Sequence, residues 1–246
     1  MTSFTVSLAG VPIRVEALHA STERFCRDYL TDEAPAVAVT LSPADIAAER
    51  ERSADEDVRE GRTPRAHSDA YLETLALYRR IARELLAFDA VVFHGAVVAA
   101  GDRAFAFTAP SGTGKTTHVR LWLEHIPGVY VLNGDKPLLR RDGERILACG
   151  TPWQGKENYG RPGILPLDAV VLLERSPVNR IEPMSFRDAL PVLVQQTHRP
   201  TDREGLVRTL SLVGALDGRV RLFRLGCNMD AEAARVCWRG LTGGEG

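Results

Sequence analysis

The chain has 246 residues, 44% of them apolar, with 31 basic against 32 acidic side chains, a size that suits one large or two small domains with ample core. Its formal charge of -1 removes any bulk electrostatic attraction to nucleic acid or an anionic membrane, so neither is expected as a partner. The longest apolar runs, such as "LLAFDAVVFHGAVVAA", break before the roughly 18 to 20 residues that a bilayer span needs, and the four cysteines show no CxxC spacing, so reduced thiols packed as small core residues in a soluble, cytoplasmic protein are expected.

Residues 1–45 alternate apolar and polar in "FTVSLAGVPIRVEA" and "AVAVTLS", which predicts short strands of an antiparallel element. Residues 46–69, "IAAERERSADEDVREGRTPRAHSD", are densely charged with little apolar periodicity after the opening turn, the pattern of a solvated linker. A helix is expected over 69–86, where Tyr71, Leu75, Tyr78, Ile81, Ala82, Leu85 and Leu86 recur at spacings of three and four and mark one buried stripe. The expected division is an N-terminal β-rich extension with charged linker, 1–68, and a main domain, 69–246.

Two strands follow, "AVVFHGAVVAA" and "RAFAFTA", joined by Gly101-Asp102, a dipeptide that suits a two-residue hairpin turn. Such a turn pairs Ala100 with Arg103, and counting back sets His94 opposite Ala109, at the mouth of the next loop. His94 is read either as a group aimed at substrate or as a strand histidine satisfied by a backbone carbonyl.

The loop itself is Ala109-Pro110-Ser111-Gly112-Thr113-Gly114-Lys115-Thr116. It follows the phosphate-loop pattern G-x-x-x-x-G-K-[ST] except for alanine in the first position. Glycines let backbone N–H groups curl around phosphate oxygens, and the helix that follows points its positive end at the same charge. Ser111, Gly112, Thr113, Gly114, Lys115, Thr116 and Thr117 are therefore the candidate nucleotide-binding residues, with Lys115 reaching the outer phosphates and Thr116 placing a hydroxyl on Mg²⁺. The helix "THVRLWLEHIPG" should bury Val119, Trp122, Leu123 and Ile126 and leave His118 solvated.

A metal needs a further carboxylate. Asp135 is the candidate, because the apolar strand 129–132 ends in "NGDKP" about twenty residues beyond Lys115, as a Walker B acid would; a plain Asn-Gly hairpin turn is the alternative. The glycine- and proline-rich stretch "CGTPWQGKENYGRPG", 149–163, precedes the strand "LDAVVLLER". Long loops beside sites tend to be functional. Lys156 and Arg161 are thus candidates for stabilising charge on a moving phosphoryl group, the alternative being two solvent-facing cations on a loop stapled by Trp153. "MSFRDALPVLVQQTHRP" and "LVRTLSLVGALDGRV" read as helices covering the sheet.

The order His94-Gly95, then "SGTGKTT", then Gly134-Asp135 resembles the HPr kinase and phosphoenolpyruvate carboxykinase group of phosphate-loop proteins over roughly residues 90–175. The tail "RLGCNMDAEAARVCW" is similar to short stand-alone kinase-like members, some encoded beside ribosomally made modified peptides and some phosphorylating a serine of the peptide. The resemblance implies an α/β kinase-type domain around a mixed β-sheet, with the small N-terminal β-rich extension positioned to recognise the acceptor. It also implies ATP and Mg²⁺ as cofactors. Lys115 and Thr116 match the phosphate and metal positions, His94 a histidine near the transferred phosphoryl, and Asp135 one of two adjacent aspartates.

This chain has Gly134 or Lys136 where the second aspartate stands, which leaves Asp135 and His94 as alternative proton acceptors. The activity implied is phosphorylation of a hydroxyl, on a serine or threonine of a peptide or protein or on a small-molecule alcohol. The rivals are a nucleotide-binding module without transfer and an NTPase using water; a carboxykinase would be a much longer chain. Homo-oligomers occur in the group, although no heptad pattern marks one here.

Overall fold

The computed structural model describes residues 1–59, 61–110 and 112–243. Contacts close within two units, Met1–Ala87 and Phe88–Gly246, so the long helix near residue 70 belongs with the N-terminal strands rather than with the main domain.

In the first unit, β1 (Thr2–Leu8) and β2 (Val11–Ala17) form an antiparallel hairpin with Leu8 opposite Val11. Its two turn residues, Ala9 and Gly10, both have positive φ, 52° and 71°, as a turn matching strand twist requires. Phe4, Val6, Leu8, Ile13 and Val15 alternate inward. After the short α1 (Ala20–Phe25), β3 (Val37–Thr40) joins β2 in parallel, not antiparallel as its alternation suggested, because the chain crosses over before returning.

The charged segment expected to be a linker is instead a helix, α2 (Pro43–Arg59), running to the limit of that described stretch. Ser42 and Asp45 bond reciprocally, each backbone N–H to the other's side chain at 2.9 and 3.4 Å, in the manner of a capping box. Glu49 is 1% exposed and pairs with Arg52 and with Arg79 of α3 (Asp69–Glu84), while Asp45 pairs with Arg80 at 2.7 Å. Part of the charge that looked like a solvated face is thus paired across two helices, while Glu51, Asp55, Glu56 and Arg59 are exposed.

The expected stripe holds at its C-terminal end, where Ile81, Ala82, Leu85 and Leu86 are buried, and shifts in the first turns of α3. Leu72, Glu73, Ala76, Leu77 and Ile81 are inside, Leu75 and Tyr78 are half-buried, and Tyr71 is 48% exposed. Within this shifted part the Glu73 carboxylate accepts the N–H groups of Leu18 and His19 at 2.6 and 3.1 Å and the Thr22 hydroxyl. A polar residue satisfied this way belongs to the core.

The second unit opens with β4 (Ala90–Val92), β5 (Ala96–Ala100) and β6 (Arg103–Thr108). The hairpin register is as counted, Ala100 with Arg103 and Ala96 with Phe107, but "AVVFHGAVVAA" is two strands with different partners. A Cβ on Gly95 would lie 2.8 Å from the Phe107 carbonyl oxygen, so the chain kinks there.

Next come α4 (Lys115–His125), β7 (Val129–Asn133), β8 (Leu138–Asp142), β9 (Arg145–Cys149), β10 (Ile164–Arg175) and β11 (Arg180–Pro183). The expected covering helices are α5 (Phe186–Gln195) and α6 (Arg203–Gly214), followed by β12 (Arg221–Cys227) and α7 (Ala231–Thr242).

Among the described residues the mixed sheet has nine strands, ordered β4-β8-β9-β10-β6-β5-β7, with β12 joining β10 to β11. The twelve-residue β10 is its spine, antiparallel to β9 at its start and then parallel to both β6 and β12. Helices α4 and α7 cover β5, β6 and β10 around Trp122, which is fully buried with Phe107 and Trp238 edge-on at 5.0 and 5.6 Å. Leu123, expected inside, is 38% exposed, whereas His118, expected in solvent, is 2% exposed, because the buried arc of α4 runs through His118, Val119 and Trp122. Cys26, Cys149, Cys227 and Cys237 are all free thiols and all but Cys227 are buried. No helix of the described residues is long and apolar enough to cross a membrane.

Candidate functional site

Three segments of the second unit converge at one end of the sheet: the turn between β6 and α4, the turn after β7, and the kink between β4 and β5. The first is the glycine-rich loop. Gly112 and Gly114 have φ of 76° and 120°, conformations that a side chain disfavours, and a Cβ on either would meet nothing within 4 Å. The loop therefore keeps an open cradle. Gly114 caps α4 without a side-chain hydrogen bond, so N–H groups of the first turn are directed outward without an intrahelical acceptor, which suits an anion.

Lys115 begins α4, and its ammonium donates to the carbonyl of Ala109 at 2.9 Å, within the same loop. Burial holds that ammonium below the ordinary lysine range, Asp135 opposing the shift and Lys136 adding to it. Thr116 is exposed and Thr117 half-buried, while Thr113 donates its N–H to Pro110 at 3.3 Å. Ser111 lies outside the described residues.

Asp135 stands just beyond β7. The hairpin alternative fails, because β7 pairs with β5 whereas β8 pairs with β4 and β9. Instead the Asn133 side chain folds the turn, its oxygen accepting the N–H groups of Asp135 and Lys136 at 2.9 and 2.8 Å and its amide donating to Thr151. The Asp135 carbonyl accepts the Gly95 N–H at 3.1 Å, and the His94 N–H donates to Gln196 at 2.6 Å. These bonds set His94 Nε2 3.4 Å from Asp135 Oδ1, with both side chains about one third exposed. Burial pushes the Asp135 carboxyl up, but the His94 hydrogen bond and the charges of Lys136, His94 and Lys115 outweigh it and hold the group below the usual carboxylate range.

The long loop supports this turn from behind. A Cβ on Gly134 would sit 2.5 Å from the Gln154 carbonyl oxygen, and one on Gly155 3.2 Å from the Asp135 Cβ. Lys136 donates its N–H to Trp153 at 3.2 Å, and Trp153 is buried. Of the two cations expected on this loop, Lys156 is exposed, and Arg161 lays its guanidinium over the Tyr130 ring at 3.3 Å while donating its N–H to Leu132. The structure thus brings His94, Lys115 and Asp135 together, with Lys156 at the loop surface and Arg161 against β7.

On the other side of the glycine loop lies a cavity of about 590 Å³, lined by Gly112, Thr117, His118, Arg175, Asn228 and others. Arg175, at the end of β10, donates to the Gly112 carbonyl. Asn228, just past β12, is locked by Asn179 and Asp230. Sequence reasoning left these two and Lys136 out of the site. Asn228 sat in a tail that the family resemblance touched, but nothing local in "VLLER" distinguishes Arg175.

No family model matches the chain, and no curated protein matches it. Among solved structures, it is similar to the HPr(Ser) kinase/phosphatase from Coxiella burnetii, with 9% identity, a TM-score of 0.34, and coverage of 63% of this chain and 99% of that one. This is a distant likeness.

Proposed function

We propose that the chain is an ATP- and Mg²⁺-dependent phosphotransferase that phosphorylates a hydroxyl, first of all a serine or threonine of a peptide or protein. One observation carries the reading: an open glycine cradle with its lysine stands beside an ionised aspartate that is hydrogen-bonded to a histidine. The residues fit both groups. The cradle is empty at each glycine and opens onto a cavity large enough for a nucleoside. Asp135 with Thr116 suits Mg²⁺, which takes one or two protein carboxylates and completes its shell with phosphates and water.

When bound, the nucleotide would supply the phosphoryl group and the metal would neutralise its oxygens. Lys115, released from the Ala109 carbonyl, would place its charge on the outer phosphates, and the N–H groups of the loop and of the first α4 turn would hold the rest. Asp135, kept below the usual carboxylate range, stays ionised and available to the metal at neutral pH. With Nε2 facing Asp135, Nδ1 is the His94 nitrogen left to accept the acceptor hydroxyl's proton, the arrangement by which a carboxylate orients a histidine base.

A second reading, nucleotide binding without transfer, is favoured by the single acid: Gly134 and Lys136 flank Asp135, with no second aspartate beside it. Incubation with γ-labelled ATP and candidate peptides separates the two. Wild type should label an acceptor, and Lys115→Ala should lower the rate by about 10² to 10³-fold. Equal labelling by both proteins overturns the assignment, and nucleotide binding with no label on any acceptor selects the second reading.

A further inference from the structure

Lys136 occupies an unusual position for a cation. Its backbone is clamped by the N–H bonds to Asn133 and Trp153 and by its carbonyl, which accepts the Thr151 hydroxyl at 2.7 Å. Pro137 follows, and its carbonyl accepts the Phe93 N–H at 2.9 Å. The backbone is thus fixed beside Asp135, and the side chain reaches the same carboxylate: Nζ lies 4.0 Å from Asp135 Oδ1, with the side chain 29% exposed.

An ion pair at that length and exposure adds little to stability. The ammonium is close enough to Lys115 to oppose that lysine's charge. Two ammonium groups and an imidazole therefore surround a single carboxylate. Like charges are brought together at a cost, and an anion entering between them removes it. A polyphosphate does so, its terminal group carrying the most charge.

We infer that Lys136 is a phosphate ligand, its ammonium binding the terminal phosphate of the nucleotide opposite Lys115. The inference rests on the nucleotide reading above and adds a residue to it. At a site with one acid, a second ammonium supplies part of the positive charge that a fuller metal complement would bring, without needing another carboxylate to hold it.

The test is calorimetric titration of the full chain with MgATP, MgADP and tripolyphosphate, using wild type, Lys136→Met, Lys136→Arg and Lys136→Asp. In the Met variant affinity for ATP and tripolyphosphate should fall about 10- to 100-fold, the loss of one charge-assisted hydrogen bond, while ADP affinity changes by less than about threefold. The Arg variant should recover most of the loss, and the Asp variant should bind ATP more weakly than the Met variant. If Met and wild type bind ATP alike, if ATP and ADP weaken equally, or if Asp binds ATP better than Met, the inference is overturned while the nucleotide site stands. Wild type that binds no nucleotide overturns both. Lys136→Gln replaces Lys136→Met should the latter not fold.

Discussion

A Cβ placed on Gly112 or Gly114 would meet nothing within 4 Å, whereas one on Gly134 would collide with the Gln154 carbonyl and one on Gly160 with the Leu132 carbonyl, at 2.5 and 2.9 Å. The two glycine-rich segments at the site are therefore built on opposite principles. The loop between β6 and α4 uses glycine for conformation and leaves the vacated space open. The acid turn and its supporting loop use glycine for proximity, so that backbone can press on backbone and Asp135 cannot wander. A binding surface and its rigid support make different demands of the same residue.

The largest effect expected beneath the open cradle comes from His118. Trp122 Nε1–H donates to His118 Nε2 at 3.0 Å, so the neutral ring carries its proton on Nδ1, and burial pushes the pKa down from 6.5 to about 4. The unfolded chain takes up a proton below about pH 6.5 but the folded one does not until about pH 4. Stability is therefore lost as pH falls across that window, in total by about 3 kcal/mol from this group. Urea unfolding at pH 7 and pH 4 should show that loss shrinking in His118→Gln, whose amide oxygen can still accept from Trp122; an unchanged loss would mean the ring is not held neutral.

The comparison is tested directly by two alanines. Gly134→Ala forces the Gln154 backbone to move and should cost roughly 1–3 kcal/mol, with nucleotide affinity falling because Asp135 moves as well. Gly112→Ala meets no neighbour and should cost about 1 kcal/mol, from backbone strain alone. Thermal melts and nucleotide titrations of both variants measure the contrast. Equal destabilisation would erase the distinction between an open loop and a packed one.

Much of the second unit was legible in advance, and particular residues show why. Gly101-Asp102 closes a two-residue turn, so the register of β5 on β6 follows from chemistry within a few residues, and it leads His94 to the loop. The glycines and Lys115 were readable because the following helix and its open N-terminus are local. The segment around Glu49 was misread because its partners, Arg79 and Arg80, lie on another helix, and charge in a sequence does not show whether it faces water or an opposite charge. Glu73 was left out of the buried face of α3 for the same reason, its partners Leu18, His19 and Thr22 lying far along the chain.

What the sequence determined by itself was whatever depends on neighbours in the chain: the hairpin, the loop, the helix that follows it and an acid at the end of an apolar strand. The tertiary structure alone decided that Asp135 meets His94 and Lys115, and that Arg175 and Asn228 close the far side of the cradle. Those residues come from separate strand ends: the pairing of β5 with β7 sets His94 beside Asp135, and β10, parallel to both β6 and β12, carries Arg175 and Asn228 to the glycine loop.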